Sequence, residues 1–224
     1  MVWILDLLYP PKCPFCQDIL DNPRDPVCKP CMTRLPWLDE QKSRCEVDLT
    51  EGCVSPLCYE GMVREAIHRY KFSGIAAYGQ PLGVLMAQCV QDHPEVQPNL
   101  VTWTPLSRKR RWERGFDQAE LLARSLGREL KLPVESTLTK IRETPRQSSL
   151  KEKSQRKANV KGAYKVNESG DVKGKHILLV DDVVTTKSTL EECAAMLRLA
   201  GAEQIWCVTL ARAGKKMEKT VENG

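Results

Sequence analysis

A chain of 224 residues with 42% hydrophobic and 28% charged residues has the composition of a folded globular protein, with length for one large domain or a main domain plus a small appendage. Its net charge of +5 is too small to define a nucleic-acid binder, and without internal repeats or low-complexity blocks it fits neither a solenoid nor a disordered chain. The apolar opening MVWILDLLYPP has no basic leader and is broken by Asp6 and two prolines, so the expectation is a cytoplasmic protein with no membrane insertion.

Seven of the ten cysteines lie in the first 58 residues, and four of them form two Cys-x-x-Cys pairs, Cys13 with Cys16 and Cys28 with Cys31. A two-residue gap lets one tight turn present two thiolates to one ion, and the eleven residues between the pairs are enough to bring the second turn to the same metal. A structural zinc site is therefore expected, one that anchors the fold and does no chemistry. A disulfide framework is the competing reading, and it needs an oxidising compartment. Cys45, Cys53 and Cys58 are irregularly spaced and read as small buried hydrophobes, with a second metal left open; Cys89, Cys193 and Cys207 read as core.

Further along, GMVREAIHRYKFSG carries a helical stripe of Met62, Ala66, Ile67 and Tyr70, and LGVLMAQCVQ continues as a second helix up to Pro94. LVTWTP reads as a strand with Trp103 in the core. SRKRRWERGF has no useful periodicity and reads as a basic loop, whereas DQAELLARSLGREL is a helix with Asp117 as its N-cap. VESTLTKI reads as a strand. The stretch that follows it, carrying Arg142, Arg146 and Arg156, reads as a mobile loop able to close over a site. Residues 140–165 hold nine Lys or Arg against two Glu, and residues 108–114 hold five against one. The strands AYKV, HILLVDD and QIWCVTLA frame a helix over 187–200, which predicts a right-handed parallel crossover in an α/β fold with helices on both faces. His68 reads as structural on a core-facing helix, and His93 and His176 as structural too.

In such folds ligands lie at the carboxyl ends of the strands. There the chain places Asp181 and Asp182, followed at once by TTKST at a helix start. Unpaired backbone N–H groups, hydroxyls and a positive helix end make a seat for phosphate. Two carboxylates beside that seat cannot bind the same anion, so they face hydroxyls or a cation; a ribose 5-phosphate satisfies both demands. The bland alternative is a capped helix with solvated threonines.

ILLVDDVVTTKST resembles the diphosphate-sugar motif of type I phosphoribosyltransferases. The two cysteine knuckles, IHRYKFSG, TPLSRKRRWERGFDQAELLA, RETPRQSSL and RKANVKGAY extend the likeness to the ComF family, also called ComF/GntX, over nearly the whole chain. The resemblance implies a type I phosphoribosyltransferase-like domain over 58–214 behind a zinc-binding domain over 1–57, with a disordered tail at 215–224. It implies a role in natural competence, in the uptake and processing of transforming DNA, and binding of phosphoribosyl pyrophosphate with Mg²⁺ beside the structural Zn²⁺. By motif, Asp181 and Asp182 would hold the ribose, Thr185, Thr186, Ser188 and Thr189 the 5-phosphate, and the loop with Arg108, Lys109, Arg110 and Arg114 the pyrophosphate. Lys187 stands where these motifs usually have glycine, and its ammonium could add a contact. The partners implied are a sugar phosphate, single-stranded DNA, for which Trp112 and Phe116 could stack bases, and other competence proteins. The rival reading is a nucleobase or nucleotide salvage transferase with no DNA role.

Overall fold

The computed structural model describes residues 10–143, 161–168 and 170–214. The described residues begin with a knuckle turn, in which the amide of Gln17 donates to the carbonyl of Cys13 at 2.9 Å. A short helix α1 (Lys29–Arg34) follows, entered through Cys28 and carrying Cys31. Next come helix α2 (Glu40–Ser43) and three short strands, β1 (Arg44–Cys45), β2 (Gly52–Val54) and β3 (Leu57–Cys58). The remaining elements in order are helices α3 (Gly61–Phe72) and α4 (Gly79–Gln91), strand β4 (Leu100–Trp103), helices α5 (Arg108–Arg114) and α6 (Gln118–Leu130), strands β5 (Leu138–Lys140), β6 (Tyr164–Val166) and β7 (His176–Val184), helix α7 (Ser188–Leu199) and strand β8 (Gln204–Arg212).

The main sheet runs β1-β2-β8-β7-β4, with β3 also paired to β8. β7 pairs in parallel with β4, from Leu100 opposite Ile177 to Trp103 opposite Val180, and with β8, from His176 opposite Gln204 to Val184 opposite Arg212. The β7-α7-β8 unit is the expected parallel crossover, and β2 and β3 extend the sheet in parallel beyond β8. Strands within the first 57 residues thus belong to the large sheet. AYKV does not: β6 pairs antiparallel with β5 in a separate two-stranded sheet.

Alternation along β7 splits the core. Leu178 and Val180 join the cluster built on α3, α4 and α6, while Ile177 and Leu179 join the cluster under α7 that includes Leu190, Cys193 and Leu197. α4 and α6 pack at close range because Gly83 has no side chain; a Cβ there would stand 2.4 Å from that of Ser125. Trp103, His93, Cys53, Cys89, Cys193 and Cys207 are buried as expected, and His93 bridges Ser43 Oγ at 2.8 Å and the carbonyl of Cys89 at 2.7 Å. Asp117 caps α6 as expected, accepting from the amides of Ala119 and Glu120.

One expectation is overturned. SRKRRWERGF is not a loop. Ser107 caps α5 by accepting from the amide of Arg110, and Gly115, at φ +79°, ends it in the left-handed conformation. Capping at both ends builds a helix with no buried residue, which a search for apolar periodicity misses. On α3 the buried face is Val63, Ala66, Ile67 and Tyr70, and His68 lies on the opposite, exposed side.

Candidate functional site

In the N-terminal unit the ligand atoms of Cys13, Cys16, Cys28 and Cys31 all lie within 4.8 Å of one another. Four thiolates at about 2.3 Å from one ion would be separated by about 3.8 Å, and Cys16 Sγ stands 3.5 Å from Cys28 Sγ. The cluster fits zinc. Cys45 and Cys53, whose place was left open, face each other across β1 and β2, and Cys53 in turn faces Cys207 on β8. Among the described residues only the first four cysteines form a group of three or more metal-type ligands.

The second site is a cavity of about 730 Å³ at the carboxyl ends of β4 and β7. Its floor is the end of β7. The alternation that splits the core sends the two acids to opposite sides. Asp182, 9% exposed, turns toward α3, where Lys71 Nζ donates to its Oδ1 at 2.7 Å. Asp181 accepts the amide of Asp182 on Oδ1 at 2.8 Å and lies near Lys140 of β5 and Tyr164 of β6. Burial, then repulsion from Asp182, push the Asp181 carboxyl up to about 7, with Lys71 pulling the other way. Burial and the neighbouring Arg110 lower the Lys140 ammonium to about 8.

Beyond the acids, α7 points its N-terminus into the cavity. Thr185, Lys187, Ser188 and Thr189 line it, while Thr186 does not and accepts from Ser188 Oγ at 3.3 Å. Lys187 is the N-cap and holds φ +67°, ψ −15°. The lysine therefore takes the left-handed conformation that glycine adopts freely, at about 1 kcal/mol, and the loop keeps its course.

Of the basic helix, Arg110 and Arg114 line the cavity, whereas Arg108 and Lys109 do not. Arg114 donates to Gln118 Oε1 at 2.6 Å and sits 5.1 Å from the centre of the Phe72 ring. Arg111 is paired with Glu120 at 2.9 Å. Trp112 is 86% exposed, and Phe116 packs against Tyr70. Asp117 does more than cap: its Oδ2 accepts the amide of Leu106 at 2.7 Å, closing the excursion that carries α5. Arg142, at the end of β5, donates to the carbonyl of Lys161, and the loop carrying Arg146 and Arg156 falls outside the described residues.

Sequence reasoning missed Lys71, Lys140, Tyr164 and Arg64, all of which line the cavity. For Lys71 a signal existed: Arg64, His68 and Lys71 recur at helical spacing on the polar side of the α3 stripe. Among the described residues the cavity presents six cationic side chains, from Arg64, Lys71, Arg110, Arg114, Lys140 and Lys187, against three carboxylates. Such a cavity can take a polyanion bearing hydroxyl groups. Magnesium beside phosphates takes one or two carboxylates and completes its shell with substrate oxygens and water, so Asp181 and Asp182 would fit such an ion together with a pyrophosphate ligand.

Comparison with known proteins places this architecture. The phosphoribosyl transferase domain model matches residues 114–223, and the double zinc ribbon domain model matches residues 4–60. The class is thus a type I phosphoribosyltransferase-like domain joined to a zinc ribbon. Competence protein F of Haemophilus influenzae is 35% identical over 66% of this chain and 66% of its own length. DNA utilization protein YhgH of Escherichia coli K12 is 36% identical over 63% of this chain and 64% of its own. Competence protein ComFC of Bacillus subtilis is 32% identical over 69% of this chain and 61% of its own. The chain belongs to the ComF family, and it matches just under two thirds of the length of these relatives. A purine phosphoribosyltransferase from Pyrococcus horikoshii aligns at 16% identity over 61% of this chain and 84% of its own, with a TM-score of 0.38, a likeness that carries no argument about the site. No helix among the described residues is long and apolar enough to cross a membrane.

Proposed function

We propose that this chain binds phosphoribosyl pyrophosphate, or a related ribose 5-phosphate ester, and serves in the cytoplasmic handling of transforming DNA. The observation that carries the reading is the meeting of Asp181 and Asp182 with the N-terminus of α7 in one cavity at the sheet edge. The acids accept hydrogen bonds from the ribose hydroxyls. The first-turn amides of α7, with Thr185, Ser188 and Thr189, take the 5-phosphate, and Arg110 and Arg114 meet the pyrophosphate. In a transfer, the bond from the anomeric carbon to the pyrophosphate oxygen breaks, a bond to the acceptor forms, and the acceptor gives up a proton. The names of the relatives, competence protein and DNA utilization protein, support the DNA role.

Calorimetric titration with phosphoribosyl pyrophosphate tests the first half. The double variant Asp181→Asn, Asp182→Asn is expected to lose roughly 100-fold or more in affinity, since each acid contributes a charge-assisted hydrogen bond; unchanged affinity would overturn the reading. Pyrophosphate release with single-stranded DNA present, compared with release in the presence of free nucleobases, separates the competence reading from salvage.

A second reading has its own observation: on α5, Trp112 is 86% exposed among basic residues that do not line the cavity. That surface suits single-stranded DNA, with bases on the indole and phosphates on Arg108 and Lys109. Neutralising both should reduce the logarithmic salt slope of binding by about 0.7 per lost phosphate contact, and an unchanged slope removes the assignment.

A further inference from the structure

Outside both sites, two cysteines are placed for chemistry that neither site uses. Cys45 of β1 stands directly opposite Cys53 of β2 in antiparallel register. Residues paired in this way have Cα atoms about 4.5–5.5 Å apart, inside the range that a disulfide spans, so a bond between them asks little of the backbone. Both pack in the cluster under α7. β1 is the outermost strand of the sheet, which leaves Cys45 half-buried, whereas Cys53 is fully buried.

The two thiols also differ in their hold on a proton. A hydrogen bond from Cys53 holds the Cys45 thiol below the usual thiol range, against the effect of burial and with help from the charges of Lys187 and Arg212. Arg212 is fixed at this edge, its guanidinium donating to the carbonyl of Arg44. The same hydrogen bond, together with burial, pushes the Cys53 thiol up, so it stays protonated. Cys58 makes the contrast. It is the other half-buried cysteine outside the ribbon among the described residues, and burial and the neighbouring Glu60 push its thiol up. An accessible sulfur flanked by cations, with a protonated thiol in bonding reach behind it, is the arrangement of an attacking and a resolving cysteine.

We propose that Cys45 and Cys53 form a redox site that takes hydroperoxides, with Cys45 as the attacking sulfur and Cys53 as the resolving one. In the first step the Cys45 thiolate attacks the near oxygen of the peroxide. The O–O bond breaks, the far oxygen leaves and takes a proton from water, and Cys45 becomes a sulfenic acid, oxidised by the two electrons that the peroxide gains. In the second step the Cys53 sulfur attacks that of Cys45. The S–S bond forms, the S–O bond breaks, and the departing hydroxide takes the Cys53 proton as water. A thiol reductant reverses the bond by exchange. The site stands apart from the sugar-phosphate reading of the cavity and does not depend on it.

The test uses the full zinc-loaded chain, reduced and then freed of reductant, with zinc content followed throughout. Equimolar hydrogen peroxide is the probe, and products are mapped by mass spectrometry after cleavage at Glu51, which separates the two cysteines. A disulfide between Cys45 and Cys53 should form before zinc is released. Cys53→Ala should stop at a sulfenic acid on Cys45, trapped by dimedone, and Cys45→Ala should leave Cys53 reduced. On the reduced chain a limiting alkylating reagent should label Cys45 at least about tenfold faster than Cys58. Zinc release and ribbon disulfides ahead of the bond between Cys45 and Cys53 overturn the proposal. So does a wild-type chain in which that bond never forms, a result that needs no variant. Equal labelling of Cys45 and Cys58 removes Cys45 as the attacking sulfur, and the proposal with it.

Discussion

In the ribbon, four cysteines from one short stretch, Cys13 to Cys31, converge within 4.8 Å. In the cavity, Lys71 meets Asp182 across 111 positions of sequence, and Lys140 and Arg110 come from two further elements. The first site is a local code, in which spacing alone dictates which atoms meet. The second is an assembly, whose chemistry depends on where the sheet and helices carry side chains that sequence spacing does not relate. The contrast predicts that the ribbon fails as a unit when its metal is lost, whereas the cavity can be retuned one residue at a time.

The sharpest way to break the contrast is to remove the zinc. Chelation should lower Tm by more than about 10 °C, because four thiols without an ion leave the ribbon with little to hold it. Since Arg69 ties α3 to the ribbon carbonyls, ligand affinity should also weaken several-fold; calorimetry on the stripped protein showing no change would make the two sites independent.

Asp181 gives the next largest effect. Its carboxyl titrates near 7 in the folded protein, against about 3.9 when unfolded, so the folded state holds the proton more tightly. Stability from this group is therefore highest below about pH 4, falls as the pH rises from about 4 to 7, and stays low above. Asp181→Asn should gain about 1–3 kcal/mol at pH 8, roughly 2–10 °C in Tm, and gain nothing at pH 4, while losing ligand affinity. A pH-independent change in melting would show that burial of this acid costs the fold nothing.

A smaller effect falls on Lys140. Its charge is present below about pH 8, so affinity for a polyanion should decline about 3- to 10-fold as pH passes through that value, and Lys140→Met should flatten the profile. Least of all, Lys187→Gly should relieve the left-handed strain and move Tm by about 1–4 °C upward, with a few-fold loss of affinity as the ammonium goes. Thermal melts and titrations at constant ionic strength read both.

Much of this was legible beforehand, and the limits have physical causes. The knuckles, the β7-α7-β8 crossover, the cap at Asp117 and the two acids at a strand end all follow from spacing, periodicity or capping, which are short-range rules. α5 was missed because its stability comes from Ser107 and Gly115 at its ends and not from an apolar stripe. On α3 the stripe named Met62 where Val63 is the buried residue, a shift of one position that leaves Ala66, Ile67 and Tyr70 in place. Lys71 and Lys140 were missed for a different reason. A lysine in a helix or strand carries no mark of the partner it will meet, and only the register of β7 against its neighbours decides that Asp182 turns toward one and Asp181 toward the other.

Asp117 holds one more consequence. By accepting the amide of Leu106 as well as those of Ala119 and Glu120, a single buried carboxylate fastens both feet of the excursion that bears α5. Between those feet α5 carries Arg110 and Arg114 to the cavity wall, so one acid moors both arginines.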